Sequence, residues 1–555
     1  MKRRLFYIVT GVMMFLPSNA QKVTHQALEQ SIVSPSADGG RYLWLPIQDS
    51  APEGRVCIVV NNHEVLANNV RMARENVDYY VSLDLLPWLD ASGMKVVIQN
   101  VPENSICYKA IAQNNDLNFQ LIDEPFRPSY HHTPIRGWMN DPNGMFYKDG
   151  VWHLYYQYNP YGSMWGNMHW AHSTSIDLIH WQQQPVALTP DAWGTMFSGS
   201  CIVDKENTTG FGKNAIIAMY TASRPTPFGG DVQAQCLAYS TDNGQTFTKY
   251  EGNPVLTGTD KDFRDPNMFW NEDINAWNLI LACGQEMRIY SSPDLKNWKE
   301  ESRFGNNLGC HEGVWECPDL IKLYTLDGKT SKWVLFCNIN PGGPAGGSAT
   351  QYFIGNFDGH TFTVDSESRY VNGNSLWQDY GKDHYATVSF SNAPDGRHTM
   401  IAWMSNWQYA NDVPTMQYRS ANSIAREPFL YYGADKQLYM GSRPSPEYDN
   451  KGLDKNVKIK GSCKIRLSND EGQEMVFIYD QKAMTLTCDR SKSGIKDFSA
   501  DFDVNAVAPV RNKLTSLRIF IDNSSIELFG NNGEVVMTSL VFPNSPLKNV
   551  KIEKL

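Results

Sequence analysis

Apolar residues in this chain come in short runs that alternate with polar positions and break at Asn, Asp, Gly and Pro, a pattern of strands joined by turns. Tyr42 to Ile47, Val56 to Val60 and Met94 to Ile98 are such runs. They predict a β-rich module over 21–124, read as a sandwich. A second module over 452–555 is clearest in SLRIFIDNSSIELFGNNGEVVMTSLVF. Its turn signals at Asp522 to Ser524 and Asn531 to Gly533 separate β-branched and aromatic strands. The turn-rich stretch 441–451 reads as a linker before it.

Between these modules, over 125–440, two kinds of segment alternate. The first kind starts polar and runs into strands, at Asp141, Ser198, Asp265, Glu316 and Tyr385. The second is an Asp turn followed by an aromatic: Asp177 and Trp181, Asp242 and Phe247, Asp294 and Trp298, Asp358 and Phe362. Five units of about 60 residues, each with room for four strands, predict a five-bladed β-propeller. The first strand of every blade lines the axis, so Asp141, Asp265 and Glu316, which begin units one, three and four, are expected to converge. The fold class is therefore all-β: a propeller flanked by an N-terminal β-rich domain and a C-terminal β-sandwich.

Length and charge narrow the picture. At 555 residues the chain holds several domains. Its balance of 49 basic to 59 acidic residues does not indicate a basic surface for nucleic acid. Lys2, Arg3 and Arg4 precede an apolar run from Leu5 to Leu16 and then Ser18, Asn19 and Ala20, so 1–20 reads as a removed secretory signal. The run is shorter than the roughly 20 residues of a spanning helix. The product is expected to be exported, periplasmic or extracellular, with no membrane segment after signal removal. The ten cysteines show no metal-type spacing. Cys57 with Cys107 and Cys463 with Cys488 are possible disulfides, with buried packing the equal alternative.

Carboxylates crowded in a closed pocket cannot all ionise freely, which yields one acid and one base or nucleophile. That division serves glycoside hydrolysis, with the third carboxylate free to bind sugar hydroxyls. Pro142, Pro266 and Pro318 follow the three acids and stiffen their backbone. The residues themselves do not rank the three acids. The many aromatic side chains suit a core, and equally the faces of sugar rings.

RPSYHHTPIRGWMNDPNGMFY, FRDP at Phe263 to Pro266 and WECPD at Trp315 to Asp319 resemble, in order, three signatures of glycoside hydrolase family 32, the β-fructofuranosidases. WMSNWQYANDVPT and YRSAN are similar to exo-acting levanases and exo-inulinases. The resemblance runs from about Phe126 to the C-terminus. It implies a retaining hydrolase that releases terminal β-D-fructose from levan, inulin or sucrose. Asp141 would be the nucleophile, Glu316 the acid/base and Asp265 the transition-state stabiliser. Asn140, Gln157, Trp165, Phe197, Ser198, Arg264 and Trp403 would line the fructose pocket, with Trp165 and Trp403 as its apolar floor. No metal or organic cofactor is implied. A fructosyltransferase of the same fold and a non-catalytic fructan-binding protein are the alternatives, the latter expected to lack one of the acids. The N-terminal module lies outside the resemblance; Trp44 and Trp88 make polysaccharide binding there conceivable.

Overall fold

The computed structural model describes residues 22–26, 29–227 and 229–555, so the leader expected over 1–20 lies outside the described residues. The chain is built almost wholly of strands, in two compact units that divide after Ile122.

The first unit contains two sheets. One has the spatial order Lys22–Gln26, Gln30–Ser34, Lys95–Gln99, Gly54–Val60, His63–Val70; in the other, Tyr42–Ile47 lies between Tyr79–Asp84 and Ala112–Asn114. The strands begin and end within two residues of the apolar runs that predict them. Trp44 belongs to the core of this unit: it is 1% exposed and its Nε1 donates to Asn114 Oδ1 at 2.9 Å. It therefore offers no face to a polysaccharide.

The second unit carries the propeller. Five antiparallel sheets have as their inner strands Gly137–Lys148, Thr195–Asp204, Phe263–Asn271, Val314–Tyr324 and Tyr385–Ser389. Each inner strand packs on the next, and the fifth packs on the first, so the ring closes. The second strands, such as Val151–Asn159 and Ala215–Pro225, are buried almost end to end. They read as near-continuous apolar runs because neighbouring blades cover both of their faces.

The Asp turns join third strand to fourth. Asp177 Oδ1 accepts the N–H groups of Ile179 and His180, and Asp294 Oδ1 those of Lys296 and Asn297. In the same two turns Trp181 and Trp298 donate Nε1–H to the carbonyls of Leu178 and Leu295. Trp181 and Trp298 thus lock their blade corners and take no part in the axis.

The fifth blade ends on the strand Leu438–Pro444, so 441–444 lie in the blade and only the remainder of 441–451 connects it to the next strand, Asp454–Lys458. The C-terminal sandwich stacks a four-stranded on a five-stranded sheet around Ile465, Phe477, Leu517 and Leu528. Its strands Ser516–Ile521, Ser525–Gly530 and Val535–Leu540 are separated at the two expected turns. Buried charge joins sandwich to propeller. Arg426 pairs with Asp379 at 2.8 Å and with Glu527, while His131 lies between Asp522 and Glu527 at 2.8 Å from each. All ten cysteines are buried and unbonded, so neither suggested pair forms a disulfide.

Candidate active site

Every inner strand carries a β-bulge at the same height. In blade one, Asn140 and Asp141 together face the single residue Gln157. The matching pairs are Phe197 and Ser198 opposite Thr221, Asp265 and Pro266 opposite Leu281, Cys317 and Pro318 opposite Cys337, and Ala386 and Thr387 opposite Ala402. A bulge re-aims side chains that a regular strand would point elsewhere. In blades three, four and five its first residue is left-handed: Asp265 has φ 65°, Cys317 φ 40° and Ala386 φ 55°. Such non-glycine residues each cost on the order of 1–3 kcal/mol, which the surrounding sheets must hold.

The bulges refine the expected equivalence of the three acids. Glu316 immediately precedes its bulge, Asp265 is the first bulge residue and Asp141 the second. They occupy three successive registers rather than one, and so approach the axis from staggered heights.

The three acids share one network. Asp141 Oδ2 accepts from Ser198 Oγ at 2.8 Å and from Cys317 Sγ at 3.3 Å, whereas Oδ1 receives only Asn140 Nδ2, at 3.1 Å. Asp265 Oδ2 accepts the backbone N–H of Cys317 at 2.9 Å, and the Asp265 N–H donates to Thr221 Oγ1 at 3.0 Å. Glu316 Oε1 takes Nε and Nη2 of Arg264 at 3.2 and 3.0 Å, and its Oε2 accepts the Tyr385 hydroxyl. Arg264 also donates to Asp262 Oδ1 at 2.7 Å.

Burial raises the pKa of Asp141, and the charge of Glu316 adds to it; the donors Ser198, Asn140 and Cys317 pull the other way. Asp265 is raised by burial too, against Arg264, with Glu316 and Asp141 pushing it further. Burial opposes the charge on Arg264, yet Glu316 and Asp265 more than restore it, and its pKa lies above the ordinary value. Carboxylates held in such different environments can divide into an acid and a nucleophile.

The expected pocket residues gather here with one exception in kind. Gln157 Nε2 donates to the Met196 carbonyl at 2.8 Å, fixing the next blade beside Phe197. Trp165, 46% exposed, meets Phe197 edge-on at 6.3 Å between centroids. Trp403 is fully buried, packed on Trp138, Tyr385 and Trp407, so it forms the layer behind the pocket and not its floor. Trp138 and Trp315 are equally buried. Trp407, which is partly exposed and stacks on Trp138 at 5.8 Å, is the ring left accessible there. Sequence reasoning passed over Trp407, Tyr385, Thr221 and the double contact of Cys317. WMSNWQYANDVPT contains Trp407 as plainly as Trp403; what distinguishes them is that Trp403 lies on the fully buried strand Met400–Met404 and Trp407 in the turn after it.

The family model described as "Glycosyl hydrolases family 32 N-terminal domain" matches residues 131–441, and "Glycosyl hydrolases family 32 C terminal" matches 452–554. Residues 30–130 match a domain of unknown function. A levanase of Bacillus subtilis is 43% identical over 472 residues, covering 78% of this chain and 68% of that protein. An extracellular exo-inulinase of Aspergillus awamori is 36% identical over 494 residues, covering 78% and 92%. The crystal structure of exo-inulinase from Aspergillus awamori superposes with a TM-score of 0.70 at 34% identity, covering 78% of this chain and 96% of that one.

Proposed function

This chain belongs to glycosyl hydrolase family 32, and from that premise we propose that it releases terminal β-D-fructose from levan, inulin and sucrose by a retaining double displacement. The observation that carries the reading is the shared contact of Asp141, Asp265 and Glu316 through Cys317 and Arg264. The roles follow from their surroundings.

Asp141 is the nucleophile. Two donors occupy Oδ2 and favour the ionised form against the upward pull of burial, leaving Oδ1 the less encumbered oxygen to attack the anomeric carbon. Glu316 gives its proton to the leaving oxygen and later takes one from water, while Tyr385 and Arg264 fix its orientation. Asp265 presents Oδ1 to the fructose hydroxyls, its Oδ2 being engaged by Cys317. Bonds to those hydroxyls that strengthen as the ring gains oxocarbenium character lower the barrier. Asn140 and Ser198 position the nucleophile, and Arg264, Gln157, Trp165 and Phe197 bound the pocket. Such chemistry needs carboxylates and water alone.

Among the described residues no helix is long and apolar enough to cross a membrane. The leader-like start of the sequence and an extracellular relative support action outside the cytoplasm. The test is a time course with levan, inulin and sucrose, resolving products chromatographically. Fructose alone from the earliest points is expected. A ladder of oligosaccharides refutes exo action, and early products longer than the substrate would favour the transferase.

A further inference from the structure

A cavity of about 620 Å³ opens on the propeller axis at the end away from the carboxylates. Its walls come from all five inner strands or the segments after them, downstream of every bulge: Met145, Ser200 to Lys205, Asn267 to Trp270, Asp319 to Ile321 and Ser389 to Asn392. Between cavity and carboxylates the channel narrows to a void of about 10 Å³ lined by Pro142, Pro266 and Pro318. The prolines that stiffen the three acids therefore also close the axis beneath them. The cavity is a separate compartment, which the fructosidase chemistry does not use.

Its lining has a definite character. Trp270 is partly exposed and is held by an edge-on contact with Trp277 at 5.1 Å, whose own Nε1 is committed to Thr208 Oγ1 at 2.9 Å. Asp319 is buried, and its two oxygens take the backbone N–H groups of Leu320 and Ser389 at 2.8 and 2.7 Å with the Ser389 hydroxyl beside them, while the carboxylate still lines the cavity as an acceptor. His398 bonds through Nε2 to the Lys322 carbonyl at 3.1 Å. With that nitrogen donating, Nδ1 is an acceptor. Arg397 is spent on Glu427 and Glu447. On the rim Lys205 is exposed together with Glu206 and Glu272, so acidic side chains outnumber basic ones around the cavity. A fixed indole beside acceptors, with the guanidinium already neutralised, matches a neutral polyhydroxyl ligand rather than an anion. The volume is that of an ordinary small-molecule site and holds a short oligosaccharide.

We propose that this distal mouth binds a short stretch of neutral oligosaccharide, with Trp270 stacking on a sugar ring and Asp319 and His398 accepting its hydroxyls. That the natural ligand is fructan rests on the functional reading above. Because the mouth faces away from the catalytic end, it would hold one chain of a many-chained particle while the end of another is cleaved.

The experiment is affinity electrophoresis of the full chain in gels containing levan, inulin or dextran. An Asp141→Asn background keeps the polymers intact, and excess fructose fills the catalytic pocket. Trp270→Ala removes the ring, and Glu206→Trp blocks the mouth from an exposed rim position, which guards against misfolding of the first variant. Both should weaken fructan retardation about five- to tenfold, the worth of one stacked ring. In the otherwise wild-type enzyme both should leave sucrose hydrolysis within about twofold, an effect under 0.5 kcal/mol. Unchanged fructan retardation in both variants overturns the proposal. Retardation by dextran that the variants abolish, without any by fructans, overturns the fructan assignment. A wild-type enzyme that releases no fructose from any of the three substrates sinks the activity reading separately, whatever the gels show.

Discussion

The backbone N–H of Cys317 donates to Asp265 Oδ2 at 2.9 Å, and the left-handed φ of 40° at Cys317 belongs to the bulge that separates Glu316 from the regular strand below. Its thiol reaches Asp141 at 3.3 Å. One residue thus ties Asp265 and Asp141 together from the strand that carries Glu316.

Cys317→Ala keeps the backbone donor and deletes the thiol donor. Losing one hydrogen bond to a charged group, about 1.5–3 kcal/mol, should lower kcat roughly ten- to a hundredfold. KM should change little, and Cys317→Ser should restore most of the loss. Steady-state kinetics on sucrose check this. Burial holds the Cys317 thiol well above its ordinary pKa, so the native enzyme should resist alkylation at pH 8, as peptide mass analysis would reveal.

Two tryptophans four residues apart should behave oppositely. Trp403 is fully buried, and Trp403→Ala should destabilise the fold by about 3–5 kcal/mol, visible in denaturant unfolding. Trp407 is partly exposed beside the pocket. Trp407→Ala should raise KM for fructan and shift the unfolding midpoint far less. Equal loss of stability in both would contradict the layered arrangement.

The sandwich contact predicts an alkaline weakness. Burial alone would lower the His131 pKa, but Asp522 and Glu527 outweigh it and raise the group from 6.5 to about 9. Tyr130 and Ser129 pack around the same carboxylates, and Arg426 faces Glu527. A folded-state value above the unfolded one means stability that is complete below about pH 6.5 and is lost as pH rises through about 9. The loss is on the order of 3 kcal/mol. Denaturant midpoints measured from pH 6 to 10 should fall across that window, and His131→Gln should flatten the curve. Asp522 and Glu527 are held below their ordinary values, so their contribution disappears only in acid.

The blade repeat was legible because second strands covered on both faces must be apolar and blade corners need an Asp turn; both constraints act within a few residues of sequence. The convergence of Asp141, Asp265 and Glu316 followed from the repeat. Their staggered registers did not, because a bulge adds one residue without disturbing the apolar pattern on either side. Thr221 reaches Asp265 only through the neighbouring blade, so no local signal marks it; the repeat places Tyr385 at the start of the fifth unit, but nothing local shows that its hydroxyl meets Glu316. Trp403 and Trp407 have the same composition signal and differ in that one lies on a buried strand and the other in the turn after it. The end of blade five at Pro444 was hidden by Gly441 and Pro444, turn formers that here sit on an outer strand.

The central claim is that Asp141 attacks and Glu316 serves as acid/base. Glu316→Gln, given a fructoside with a leaving group that needs no protonation, should form the fructosyl-enzyme and hydrolyse it slowly for want of a base. Rapid quenching, proteolysis and mass analysis should then find one fructosyl unit on the peptide containing Asp141, and Asp141→Asn should abolish it. Label on a peptide carrying Asp265 instead, or turnover by Asp141→Asn at the wild-type rate, would contradict the account.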